Sequence, residues 1–214
     1  MATIGATNGV NYRISYDLVK AGVRKLVRNR AKKNTSIVTG SNKIGTVPVA
    51  SAFYAIIGAD VRADLESCTR GTVAINGVTE YMFIPVHKYA AAGSVVRGEV
   101  GVIDQFRLVV VPEMMHWAGA GATATGANEG YKVTGGKYDI YPLLCVGDES
   151  FATVGFQTDG QSTKFRVIRK APGAENATQT DPFGEKGFNS IKWFYATLIM
   201  RPERIALIKS VARN

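Results

Sequence analysis

The chain has 214 residues, 46% apolar and 20% charged, enough to bury a substantial core in one large domain or two small interleaved ones. No apolar run reaches the ~18 residues of a membrane helix, and the opening "MATIGATNGVNYRIS" lacks the basic start and apolar core of a signal peptide, so no membrane partner is expected. The formal net charge is +9; eight basic residues between Arg13 and Lys33, against Asp17 alone, supply +7 of it, a patch suited to nucleic acid or an acidic surface.

Residues 1–14 read as an irregular lead-in. Ser15 can cap a helix whose apolar positions Tyr16, Val19, Val23, Leu26 and Val27 step by three and four. Lys20, Arg24, Lys25 and Arg28 fall elsewhere on that helix, as a solvated face or as contacts to DNA or an acidic partner. No aromatic residues interleave with them, as they would in a single-strand binder. "TGSNKIGTVPVA" is loop by its Gly, Ser, Asn and Pro content. "SAFYAIIG" is a short buried strand that Gly58 breaks, and Asp60 can cap a short helix, "VRADLES". After a glycine-bearing turn, "TEYMFIPVHKYA" is a strand ending near Pro85.

The stretch "GEVGVIDQFRLVVVPEM" places Phe106, Leu108 and Val110 on one face, and Arg107, Val109 and Val111 on the other. Both faces are mostly apolar, which predicts an interior strand. A lone arginine in such a strand is expected either on a carboxylate or at an interface, within the chain or between chains. A glycine-rich excursion runs from His116 to Asp139. "IYPLLCVG" and "SFATVGF" are strands around the turn Gly147-Asp148-Glu149, where Asp148 bonds its own backbone. "TKFRVIRK" alternates as a strand with one wet face. "APGAENATQTDPFGEKG" is a polar loop, and "IKWFYATLIM" is a long strand of about 33 Å at roughly 3.3 Å per residue. Pro202 interrupts it before the return strand "RIALIKSV". Few helices early, many strands late and no βαβ alternation make the class α+β.

Site chemistry is sparse. "GAGATA" fits a dinucleotide fingerprint only formally, because no strand directly precedes it, and "VTGGKY" has Tyr138 where a phosphate loop needs Ser or Thr. His87 and His116 lack partners at metal-ligand spacing. Cys68 and Cys145 suggest no disulfide framework, and Cys145 in "YPLLCVG" reads as a small core residue. No catalytic residue, metal or cofactor is expected, and the chain reads as no enzyme. Around "TQTDPFGEKGFNS", Pro182 and Gly184 favour a tight turn, and Asp181, Glu185 and Lys186 keep it wet. Phe183 is then an aromatic among charges, suited to anchoring another chain unless it tucks onto its own hairpin.

"FYAIIGADVRADLE", "FIPVHKYA", "GEVGVIDQFRLVVVPEM", "YDIYPLLCVGDESFATVGF" and "DPFGEKGFNSIKWFYATLIMRPERIALI" follow one another in an order and spacing that resembles the major capsid protein family of N4-like tailed bacteriophages, over about Asn8 to Val211. The resemblance implies the HK97-like capsid fold, with an axial and a peripheral domain. It implies a lead-in and basic helix over 1–34, mainly axial-domain core over 35–160, peripheral long strands and tip loop over 161–200, and a return strand over 201–214. Gly58-Ala59-Asp60 replaces the family's His-Pro-Asp, with the capping Asp60 kept. The chain also starts after the family's N-terminal arm, extended loop and spine helix, so that alone it is not expected to close a shell.

The function implied is a structural subunit of an icosahedral head enclosing double-stranded DNA. Its partners would be copies of itself in hexamers and pentamers, with portal, scaffold or decoration proteins as further neighbours. Assembly would take place in the host cytoplasm, and the product would be the virion. Arg107, Asp181, Phe183, Glu185 and Lys186 are then candidate subunit-interface residues, and Lys20, Arg24, Lys25 and Arg28 candidate DNA contacts. A nucleic-acid-binding module acting through residues 13–33 and a nanocompartment shell protein are the alternatives.

Overall fold

The computed structural model describes residues 13–42, 45–70, 80–90, 95–124, 130–154, 157–158, 161–162 and 165–213, with backbone alone at 157, 158, 161, 162 and 165. In chain order the elements are α1 (Tyr16–Arg28), β1 (Phe53–Ile57), α2 (Ala59–Glu66), β2 (Phe83–Pro85), β3 (Glu99–Ile103), β4 (Phe106–Val110), β5 (Val133–Thr134), β6 (Lys137–Tyr138) and β7 (Tyr141–Val146). There follow β8 (Phe151–Val154), β9 (Gln157–Thr158), β10 (Gln161–Ser162), β11 (Phe165–Lys170), β12 (Phe188–Trp193), β13 (Ala196–Ile199) and β14 (Ile205–Ser210). The mixed, sheet-rich composition agrees with the α+β expectation. The chain divides into a first unit, Met1–Ser150 with Arg201–Asn214, and a second, Phe151–Met200. The second unit therefore takes in 151–160, which the resemblance groups with 35–160.

The first unit is built on a six-stranded sheet in the order β14-β7-β1-β4-β3-β2. β1 runs parallel to β4, and the other pairings are antiparallel. Alternation in β1 turns Phe53, Ala55 and Ile57 to one face. There they join Phe106, Leu108, Leu143, Cys145, Ala206 and Ile208, and α1 and α2 cover them with Val19, Val23, Leu26, Val61 and Leu65. Each large aliphatic or aromatic side chain buried there is worth roughly 1.5–3 kcal/mol. α1 approaches closely at Gly22, where a Cβ would lie 2.8 Å from Ile208 Cδ1. A smaller cluster of Val38, Val49, Tyr89 and Val102 lies apart from this core.

Several sequence expectations shift. "GEVGVIDQFRLVVVPEM" is a hairpin rather than one strand: Asp104, at φ 52°, turns β3 back along β4, and β4 is interior as expected. α1 buries Val19, Gly22, Val23 and Leu26, but Val27 points to solvent, because its position rotates off the stripe. Asp60 is not the cap of α2. Gly58 holds that position without a side-chain bond, and Asp60 sits in the first turn, favourable to the helix dipole and paired with Lys132. The run expected as one strand over "IKWFYATLIM" is two, β12 and β13, separated at Phe194-Tyr195. Among the described residues of "TEYMFIPVHKYA", Phe83–Pro85 alone is strand, followed by a 3-10 turn over Val86–Lys88. Residues 1–12 of the lead-in, the glycine-bearing turn at 71–79 and residues 125–129 of the glycine-rich excursion lie outside the described residues.

Candidate interaction surfaces

α1 is held at its start by Ser15, whose hydroxyl accepts from the Leu18 amide at 3.4 Å. Its inward stripe leaves Arg24 and Arg28 exposed and Lys20 and Lys25 half-buried. The Lys20 ammonium lies 4.6 Å over the Tyr16 ring. Among the described residues Lys20, Arg24, Lys25 and Arg28 form no ion pair, whereas other cations of this unit do. Arg62 meets Glu66 at 2.7 Å, Arg204 meets Glu149 at 2.8 Å and Lys32 meets Glu149 at 3.3 Å. The structure thus gathers all four sequence-predicted basic residues on one helix, with Asp17 the only carboxylate on it.

Arg107 is fully enclosed. It stands 3.9 Å from Glu99, also inside, donates to the Ser36 carbonyl at 3.4 Å and lies 5.6 Å over the Tyr89 ring. Glu99 in turn accepts from the Val96 amide at 3.0 Å. Burial, and then the Glu99 carboxylate, push the Tyr89 hydroxyl far up. Arg107 is thus buried beside a carboxylate of its own chain.

Asp64, whose spacing in the sequence gave no signal, is a further buried charge. Arg213 at 3.6 Å and Arg13 at 3.9 Å flank it, and the Arg213 amide donates to it at 3.1 Å. This fastens the chain end to α2. Of the two histidines, His116 stacks on Tyr141 at 5.2 Å and His87 is exposed on the 3-10 turn. Cys68 and Cys145 are both buried and free. Burial raises the Cys68 thiol to about 11 and pushes Cys145 up as well, so both stay protonated and unreactive.

The second unit is a long antiparallel ribbon in which β8 pairs with β13 and β11 with β12. Every described side chain of β12 and β13 is exposed. The register places Val167 opposite Ile191 and Phe165 opposite Trp193, with Arg169 opposite Asn189 on the same face. The other face pairs Arg166 with Lys192, Ile168 with Ser190 and Lys170 with Phe188. One face is thus mainly apolar with a single cation, and the other carries three cations. Where "TKFRVIRK" is expected to have one wet face, both faces of its described residues are exposed, because period-two alternation tells which residues share a face and not whether anything covers it.

The loop at the ribbon's end is closely tied. Thr178 and Asp181 exchange amide–carbonyl bonds at 3.0 Å, the Gly184 amide donates to the Asp181 carbonyl at 3.2 Å, and the Gly173 amide donates to the Gly184 carbonyl at 2.9 Å. The Asp181 carboxylate accepts from the amides of Glu185 at 3.2 Å and Lys186 at 2.9 Å. Gly184 has φ 64°, and a Cβ there would collide with the Gly173 carbonyl. This frame holds Phe183 out to solvent at 81% exposure. Phe183 does not tuck onto its own hairpin. Glu185 and Lys186 flank it, exposed and without ion pairs among the described residues, whereas Asp181 is occupied in holding the turn.

No protein-family model matches the chain. It is 42% identical over 202 residues to the major capsid protein of Pseudomonas phage KPP21, covering 94% of this chain and 49% of that protein. The chain thus spans about half the length of the relative it matches. Among solved structures it is similar to a chain in the head structure of Helicobacter pylori bacteriophage KHP40. The identity there is 13%, the coverage 97% of this chain and 60% of that one, and the TM-score 0.39.

Proposed function

We propose that this chain forms wall of a phage head as part of a major capsid protein, a structural subunit without catalysis. The observation that carries the reading is 42% identity to a phage major capsid protein along 94% of the chain. It favours a shell subunit over a dedicated nucleic-acid-binding module and over a nanocompartment protein. The exposed apolar ribbon of the second unit supports it, since a two-stranded ribbon is marginal in water by itself and gains stability from neighbours.

On this reading the first unit is the axial domain and the second the peripheral domain of an HK97-like fold, of the N4-like subfamily. The arm, extended loop and spine helix of that fold are not among the described elements. Copies assemble into hexamers and pentamers in the host cytoplasm, with portal, scaffold or decoration proteins as further neighbours, and the product is the virion. The cations of α1 meet packaged double-stranded DNA through its phosphates, without sequence preference.

Expression of the complete gene product, followed by electron microscopy, tests this. Uniform closed particles are expected, with or without co-expressed head proteins. A product that stays monomeric in every combination overturns the reading.

A further inference from the structure

The tip of the ribbon and its flank are complementary. The tip, residues 171–187, carries Glu175, Asp181 and Glu185 against Lys186, while β11 and β12 carry Arg166, Arg169, Lys170 and Lys192 and no carboxylate. The tip holds one aromatic outward on a hydrogen-bonded frame. The flank shows an apolar patch of Val167, Ile191 and Trp193, exposed at 54%, 55% and 66%, with Arg169 on the same face. Exposed apolar side chains on a two-stranded ribbon have no second layer of their own unit over them.

We propose that the tip of one copy docks on the ribbon of a second copy, with Phe183 seated over Val167, Ile191 and Trp193 and Glu185 facing Arg169. The inference rests on the capsid reading and names the contact surface. The occupant is another copy because the knob and its receiving face, with opposite charge, lie on the same chain, and Phe183's exposure shows that they do not meet within one. The tip is preorganised, so docking spends little entropy in ordering it. Knob and receiver are different surfaces, so a single such contact leaves one free knob and one free receiver, and its repetition builds a ring or a shell where the rotation closes.

The test uses the full-length protein. F183A is expected to lower particle yield at least about tenfold, as truncation of an interface anchor does. The melting temperature of the unassembled subunit should stay within about 1–2 °C, as for surface substitutions. E185R and R169E should each lower the yield, and the double variant should restore it. In particles mixed from differently tagged chains, F183C and I191C should form a disulfide between chains, since Cys68 and Cys145 are buried.

Normal particles from F183A overturn the inference while leaving the capsid reading intact. So do tip-to-tip disulfides alone, or an I191C thiol already shielded in the unassembled subunit, which would mean that the subunit covers its own ribbon. A wild-type protein that forms no particles overturns the reading, and the inference with it.

Discussion

Glu99 and Arg107 face each other inside the first unit with no exposed side-chain surface on either. A buried pair contributes little relative to apolar replacements, but removing one partner leaves a charge in a low dielectric. Arg107→Ala is therefore expected to cost about 3–5 kcal/mol, read from urea denaturation. A loss below about 1 kcal/mol would mean that water reaches Glu99 in the variant. Glu149 is the surface counterpart. Its hydrogen bond from Arg204, and then that from Lys32, hold its carboxyl below the usual carboxylate range. A carboxyl depressed in the folded state stabilises above its unfolded pKa, and that contribution is lost as pH falls through the folded value. Glu149→Gln should thus lower the melting temperature near neutral pH, and the gap to wild type should narrow as pH falls below the usual carboxylate range. A gap that persists in acid would assign the effect to packing instead of charge.

At the scale of elements, α1 separates two roles on one cylinder. Val19, Gly22, Val23 and Leu26 bind it to the sheet, and its cations lie off that stripe. Replacing Lys20, Arg24, Lys25 and Arg28 together with Gln should shift stability by no more than about 0.5 kcal/mol per site, since none is in an ion pair among the described residues. If α1 meets DNA, the same variant should flatten the slope of log affinity against log salt by up to roughly 3–4, at about 0.9 for each phosphate that is no longer neutralised. An unchanged slope in a binding titration would remove α1 from the DNA surface. The ribbon divides its roles likewise, across the two faces of β11 and β12.

Over the whole molecule, stability is uneven. The first unit encloses an apolar core between its sheet and two helices, while the described side chains of β12 and β13 in the second unit are all exposed. Amides of Phe151–Met200 are therefore expected to exchange much faster than those of β1, β4 and β7 in the free subunit. If the chain assembles as proposed, they should gain protection on assembly, most of all around Val167 and Ile191. Hydrogen exchange with mass spectrometry on subunit and particle measures both. Equal protection of the two units in the free subunit would show that the ribbon is already covered.

What the sequence determined by itself was local. Steps of three and four and a capping Ser15 specify α1, apolar runs specify β1, β4, β7 and β14, and an aromatic set between Pro182 and Gly184 marks the tip. These signals depend on a few neighbouring residues, so they survive without a fold. Tertiary structure decided what depends on distant partners. It paired Arg107 with Glu99 across a hairpin that Asp104 turns, placed Asp64 between Arg13 and Arg213, broke the run after Trp193, and left Val167 and Ile191 uncovered. Alternation in a strand says which side chains share a face. Only the packing of other elements, or their absence, decides whether that face meets core, solvent or another chain.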